Sequence, residues 1–327
     1  MSLIFTPTTL GRLTLANRIV MPPMQQYQGT PEGFATPYHV QHYARRARGG
    51  VGLVIVESTA VAPEGRLMED DVGLFSDAHA DALAPVAAAV HAEGAPVLVQ
   101  LCHGGRKGVP HRGGPLLAPS ALPHSDYGMP EPMDATDIAS VVAAFAEGAE
   151  RAIGAGFDGV ELHAAHGYLL HQFLSPLSNT RTDDYGGSPQ NRARLLAEIV
   201  AAVRARIGPE PVVTVRVSAS DHAEGGLTAD AVAESLAAIV PLGLDAVHVS
   251  AGGLLPGAKV VTAADDQIEL AAIVRQRLGI PVIAVGRVRS LEAAEAIVAR
   301  GAADLVAIGR PLLVYPDLSR ALALSSA

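Results

Sequence analysis

The sequence predicts a (β/α)8 barrel of the TIM type, and three observations carry that expectation. Short runs rich in Val, Ile and Leu alternate with longer Ala-rich stretches of helical spacing, the alternation repeats eight times nearly from end to end, and no Pro/Ser-rich linker or shift in composition divides the chain. In order, strands are expected at 18–21, 51–57, 96–101, 159–163, 212–217, 246–250, 281–285 and 305–308. The helical stretches between and after them fall at 37–48, 77–93, 135–155, 190–206, 228–240, 264–278, 290–300 and 316–325. Eight strands each followed by a helix close most simply into a barrel, and periodicity alone leaves an open doubly wound sheet as the alternative. Ahead of the first strand, 5–17 is expected to form a small hairpin across the barrel floor. The excursions 103–133 and 172–189 follow the third and fourth strands, so they belong at the barrel top, where loops of that length are usually functional.

With 327 residues, 49% of them hydrophobic and 17% charged, the chain is long enough to bury roughly three quarters of its unfolded surface. Residues 1–327 are read as one domain. Disorder is excluded, and Gly 33 and Pro 23 without a three-residue period exclude a collagen-like chain. The single cysteine, Cys102, rules out an intrachain disulfide and a multi-cysteine metal site, and points to a reducing compartment. A formal charge of -9 disfavours nonspecific binding to nucleic acid or anionic membrane. The start MSLIFTPTTLGRLTL lacks the basic and apolar regions of a signal peptide, and no segment offers about 18 uninterrupted apolar residues. A soluble, cytoplasmic protein with no nucleic-acid or membrane partner is expected.

Reactive groups of such barrels cluster beyond the C-terminal ends of the strands. Here those positions hold Met24, Gln25 and Tyr27; Ser58; Gln100 and His103; His163, His166 and Tyr168; Arg216; Ser250, Gly252 and Gly253; Gly286; and Gly309 with Arg310. Polar groups facing one cavity are expensive to keep without an occupant, so a polar ligand is implied. The last two strands, IPVIAVGRV and ADLVAIGRP, each end in a glycine where backbone N–H groups approach an anion, with Arg310 as a charged clamp. Taken singly, Gly286 and Gly309 serve equally well as tight turns; paired after strands seven and eight, they favour phosphate.

In ELHAAHGY, His163 and His166 stand three apart with Tyr168 two residues on, so two imidazoles and a phenol face one group of substrate atoms. Two imidazoles donate hydrogen bonds to a carbonyl oxygen and draw electrons out of a conjugated alkene, while the phenol stays protonated and delivers a proton. A zinc reading of Glu161, His163, His166 and His171 is weaker, being neither an HExxH helix nor a thiolate site. Arg216 points inward from a β-run and needs either an electron-rich partner, such as a reduced flavin ring, or a buried acid, Glu161 or Asp221. Gln100 suits a pyrimidine-like edge.

The segment SPLSNTRTDDYGGSPQNRAR at 175–194, supported in order by NRIVMPPM, HAAHGY, VRVSASD and IGRP, resembles the hallmark of the old yellow enzyme family of FMN-dependent ene-reductases, in particular its thermophilic-like bacterial branch, over nearly the whole chain. The resemblance implies that Pro22, Pro23, Met24 and Gln25 line the isoalloxazine, that Ser58 and Gln100 lie near its polar edge with Arg216 near N1, and that Gly286, Gly309 and Arg310 hold the phosphate. It further implies that His163 and His166 bind the substrate carbonyl oxygen, that Tyr168 is the proton donor, that Tyr27 shapes the pocket, and that Lys107 sits at its rim. Gln25 stands where the branch often has Cys, and Ser58 replaces a small apolar residue. The sequence ends at Ala327 without the arginine- and aromatic-bearing tail by which some relatives complete a neighbour's site, so a shared-site dimer is not assumed and homo-oligomerisation is left open.

The activity so implied takes hydride from NADPH or NADH and passes it to an activated alkene, with FMN bound noncovalently and no metal. Two rivals remain at this level: a tRNA dihydrouridine synthase-like flavoenzyme, which the negative charge and the His pair disfavour, and a flavin-binding protein without turnover.

Overall fold

The structure is a computed structural model that describes residues 2–124, 128–257 and 266–325. Its parallel barrel strands, which we number β1 to β8, are Ile19–Met21, Leu53–Ala60, Val97–Cys102, Gly159–Ala164, Val212–Ser218, Ala246–Ser250, Val282–Val285 and Leu305–Ala307. They close in sequence order, β8 pairing with β1, which removes the open-sheet alternative. On the outer face Val54, Val56, Val97, Val160, Val213 and Val247 pack in one cluster with helix residues such as Leu83, Phe145 and Leu195. Both faces of every strand are therefore covered, which explains why the strands read as continuous apolar runs.

The barrel interior is layered. At the floor, Val20, Leu53, Ile55, Leu98, Val212, Ala246, Ile283 and Leu305 form a separate apolar cluster with Leu10 and Leu15. Those two leucines come from the expected hairpin, Thr8–Leu10 paired antiparallel with Leu13–Leu15. Its tip, Gly11 (φ 54), sits so close to Asp245 and Val212 that a Cβ would come within 3.1 Å of both. Above the floor the same inward-facing positions turn polar: Gln100 on β3, Glu161 and His163 on β4, Thr214 and Arg216 on β5, His248 and Ser250 on β6. A filled apolar base beneath a polar layer leaves the C-terminal mouth as the place for chemistry.

Several boundaries differ from the sequence expectation. β2 runs three residues beyond 57 because a bulge between Val56 and Ser58 extends its pairing with β3. The helix expected at 228–240 is Ala229–Ala237, followed by a 3-10 turn at Val240–Leu242. Two short helices, Leu169–Leu174 and Arg310–Val314, were not expected, and the first occupies the start of the 172–189 excursion. The 103–133 excursion carries a two-residue parallel ladder, Leu117–Ala118 with Glu131–Pro132. The first residues of the helix expected at 264–278 lie outside the described residues; Asp266–Leu278 is helical. Among the described residues no helix is long and apolar enough to cross a membrane.

The hallmark segment 175–194 turns out to be scaffold. Asn179 Nδ2 donates to the carbonyls of Phe173 (2.8 Å) and Tyr185 (2.7 Å), and Arg181 Nη1 to that of Met133 (2.7 Å). Ser188 accepts Asn191 N–H at the start of Pro189–Ile207, and Arg192 Nε donates to Leu174 O. These bonds tie the chain after β4 to the 103–133 excursion and fix the strand-end loops.

Candidate active site

Two adjoining cavities open at the C-terminal ends of the strands. The larger, about 810 Å3, is lined by Pro22, Pro23, Met24, Arg216, Ser250, Gly286, Gly309 and Arg310, together with Gln267, Arg287, Arg289 and apolar residues as far as Leu318. The smaller, about 260 Å3, is lined by Pro23, Gln25, Tyr27, Ser58, Leu67, Met68, Gln100, His163, His166, Tyr168 and Arg216. Pro23 and Arg216 belong to both and mark the seam. Every cofactor, substrate and catalytic residue singled out in the sequence thus lines one cavity or the other. Lys107 does not: its Nζ donates to the carbonyls of His166 (2.6 Å) and Gly253 (2.9 Å) and lies 4.9 Å from the centre of the Tyr168 ring, clamping the loops rather than lining the rim.

Beneath the small cavity runs a buried polar chain. Ser58 Oγ donates to Gln100 Oε1 (2.6 Å), Gln100 Nε2 to Glu161 Oε1 (2.8 Å), and Glu161 Oε2 meets His248 Nδ1 at 2.9 Å. Burial alone would raise the Glu161 carboxyl, but His248, Arg216 and Gln100 outweigh it and hold the group below the usual carboxylate range. Arg216, 8% exposed, stands in register between His163 and His248. It makes no hydrogen bond to Glu161 among the described residues, Asp221 is committed to Ser175 and His171, and its own Nε is buried without a partner. Arg216 therefore makes no hydrogen-bonded ion pair with either acid among the described residues; Glu161 acts on it only through its field, and the guanidinium is left to face an electron-rich partner at the seam. Glu161 and His171 are engaged elsewhere as well, so the four residues of the zinc reading do not converge on one point.

Burial and then the Arg216 charge push both His163 and His166 well below the usual imidazole range, so both rings are neutral. The rings meet edge to face at 5.2 Å, and His163 meets Tyr168 likewise at 4.9 Å. Burial also raises the Tyr168 phenol, which stays protonated. Three cavity-lining residues other than glycine hold left-handed backbone: Tyr27 (φ 56), His166 (φ 59) and Arg287 (φ 51). Each such residue carries strain of about 1–3 kcal/mol and persists only where its surroundings fix it. At His166 they do so through Ser218 Oγ on its N–H (3.0 Å) and Lys107 on its carbonyl.

Sequence reasoning missed Arg287, Arg289, Leu67, Met68 and Asp71. The arginines had a signal, since GRVRS after β7 repeats the Gly-Arg of IGRP after β8. With Arg310 they surround one end of the large cavity, where no carboxylate lines the wall among the described residues. A Cβ on Gly286 would come 3.1 Å from Gln267 Cβ, and one on Gly309 3.3 Å from Met24 Sδ, so the bare backbone is what leaves the hollow open.

A ligand that fills both cavities needs an anion among Arg287, Arg289 and Arg310, a flexible middle past Ser250, and an electron-rich group against Arg216 with polar edges toward Gln100 and Gln25. Flavin mononucleotide (FMN) has these parts in this order, and the unpartnered guanidinium at the seam fits its electron-rich ring. Fold and site together define the class, a flavin-dependent barrel oxidoreductase. The chain belongs to the NADH:flavin oxidoreductase / NADH oxidase family, that of the old yellow enzymes, whose profile matches residues 3–325. It is 44% identical to an NADPH dehydrogenase of Geobacillus thermodenitrificans over 318 residues, 96% of this chain and 92% of that one. It is 41% identical to an NADPH dehydrogenase of Bacillus subtilis, over 97% and 93% of the two chains. Among solved structures, the old yellow enzyme homologue from Zymomonas mobilis superposes with a TM-score of 0.87 at 30% identity, covering 99% of this chain and 93% of that one. A morphinone reductase complex with tetrahydroNAD gives 0.84 at 31% identity, over 99% and 91%. The protein is an NAD(P)H-dependent flavin oxidoreductase with FMN as its cofactor.

Proposed function

We propose that this enzyme is an ene-reductase that uses NAD(P)H to saturate the C=C bond of α,β-unsaturated carbonyl compounds. The observation that carries the reading is a neutral imidazole pair beside a protonated phenol on one cavity wall. His163 Nδ1 accepts Ala165 N–H (3.2 Å), so its neutral ring carries the proton on Nε2. That atom lies 3.4 Å from His166 Nδ1. With the Ser250 hydroxyl, 2.8 Å from His166 Nε2, assigned as donor to that atom, Nδ1 is the N–H of the second ring. Two N–H groups then converge on one acceptor, as a substrate carbonyl oxygen requires when charge builds on it. FMN held at the seam by the residues named above would supply the hydride that the β-carbon accepts. Tyr168 delivers the proton to the α-carbon, and its raised pKa keeps that proton in place until the carbon becomes basic.

The test is anaerobic stopped-flow mixing of the NADPH-reduced holoenzyme with cyclohexenone. Flavin reoxidation whose rate rises with alkene concentration is expected. A rate independent of the alkene would leave a flavin carrier without this turnover and overturn the reading.

A further inference from the structure

Asp71 is charged, 1% exposed and unused by the mechanism above. It follows β2 in a segment that folds back on that strand, with Ala60 N–H donating to Val72 O (2.9 Å) and Leu74 N–H to Ala60 O (2.8 Å). Its Oδ2 accepts the backbone N–H groups of Leu67 (2.7 Å) and Met68 (2.9 Å), two residues that line the small cavity. Its Oδ1 accepts from Gln25 Nε2, the only hydrogen bond of that side chain among the described residues. An ionised carboxylate has no proton to give, so Gln25 turns its NH2 group toward Asp71 and its amide oxygen is the end left for the cavity. Once Asp71 is protonated, Oδ2 stays committed to two N–H groups, the proton sits on Oδ1, and the amide reverses. The cavity then meets an N–H donor instead of an acceptor.

We propose that Asp71 is a positioning residue that sets the polarity of the Gln25 amide and, through it, the balance between oxidised and reduced flavin. The inference rests on the reading that Gln25 lies against the flavin ring. Oxidised isoalloxazine offers acceptors along its polar edge and the reduced ring adds an N–H there, so an acceptor and a donor at the same point favour opposite redox states. Burial, helped by Glu57 and Asp70 and opposed by the two backbone N–H groups, lifts the Asp71 carboxyl to about 6, which puts the reversal close to neutral pH. The other titratable groups facing it are Cys102 and Tyr168, both held neutral, while Arg66 Nη1 is committed to the carbonyls of Pro31 and Glu69.

Asp71→Asn tests this without changing shape. Its carbonyl oxygen takes over the Leu67 and Met68 bonds and its NH2 faces Gln25, which locks the amide reversed. Spectroelectrochemical titration of the FMN-loaded proteins is expected to show a shift of tenfold or more in the oxidised-to-reduced equilibrium, about 30 mV for a two-electron couple. In a Gln25→Leu background the same Asp71→Asn change is expected to produce no shift. In the wild type, the plot of potential against pH gains a break near 6 that Gln25→Leu removes, an arm that needs no substitution at Asp71. A shift below twofold in Asp71→Asn, or an equal shift in the Gln25→Leu background, overturns the proposal. If Gln25→Leu alone leaves both potential and flavin absorbance unchanged, it is the placement of Gln25 against the ring that has failed, and the inference goes with it.

Discussion

Replacing Arg216 by methionine removes the guanidinium at the seam of the two cavities and keeps most of its apolar bulk. Arg216 is 8% exposed, its Nε has no partner among the described residues, and the largest electrostatic compensation for its burial is the field of ionised Glu161. Apo stability therefore changes by less than the 3–5 kcal/mol typical of a broken hydrogen-bonded buried pair. FMN binding loses more than it otherwise would, because a hydrogen bond involving a charged group is worth about 1.5–3 kcal/mol and no neighbouring side chain can replace it. At about 1.4 kcal/mol per decade, the dissociation constant rises roughly 10- to 150-fold for one lost bond. Quenching of FMN fluorescence against apoprotein concentration measures it, with far-ultraviolet circular dichroism confirming the fold. Arg216→Lys keeps the charge without the planar fork and falls between the two. An Arg216→Met protein that is folded and binds FMN within twofold of wild type would show that the orphaned guanidinium has no flavin partner.

Tyr168→Phe is expected to leave reduction by NADPH near the wild-type rate while slowing alkene-dependent reoxidation by about 10²- to 10⁴-fold; equal losses in both half-reactions would contradict its role as proton donor. Arg287→Gln with Arg289→Gln weakens FMN binding and flattens its dependence on salt, because both exposed cations line the anion end of the large cavity; unchanged affinity and salt dependence would limit the anion site to Arg310 and the backbone. Acid lowers stability from near neutrality: burial holds His42 near 3, His103 near 4, and His163 and His166 well below their ordinary value, whereas the unfolded chain takes up protons from about 6.5. Their contribution is present above that pH and is lost as pH falls through it, at up to about 1.4 kcal/mol per unit per histidine, so the urea midpoint drops between pH 7.5 and 5, and a flat midpoint refutes the burial argument. Lys107→Met strands the carbonyls of His166 and Gly253, at about 1–3 kcal/mol each if they stay buried, and the resulting fall in melting temperature should come with a raised KM for the alkene as His166 loses its anchor.

The barrel was legible because every strand is buried on both faces and so leaves an uninterrupted apolar run, and the strand-end rule then selected residues most of which line the two cavities, His103, Gly252 and Gly253 being the ones that do not. What escaped depends on register or on contacts far apart in sequence. Leu53 and Ile55 alternate inward on β2, and continued alternation would aim Glu57 into the barrel. The bulge instead turns Ser58 onto Gln100 and sends Glu57 to Tyr43 and His39 of the helix Pro37–Arg48. No local pattern announces such a shift; Ser58 was selected by its position just past the strand expected at 51–57, not by its register. Asp71 sits in the run EDDVG, which looks like a solvated turn, and only contact with Gln25, 46 residues away, makes it a buried partner of the site.

The placement of one positive charge orders the rest of the mouth. Arg216 lies in register with His163 on one side and His248 on the other, so its field acts on both neighbouring imidazoles and reaches His166 as well. Adding a proton to any of these rings would put a second cation beside the first in a site with little solvent to screen it. The imidazoles consequently serve as neutral hydrogen-bond donors, and Glu161, ionised one layer below, offsets the guanidinium without bonding it. An arginine hydrogen-bonded to its own acid would have less left for a ligand. Because Glu161 is taken up by Gln100 and His248 instead, the charge at the seam remains available to an electron-rich ligand, and the same charge keeps His163 and His166 in the protonation state that the proposed binding of a carbonyl oxygen requires.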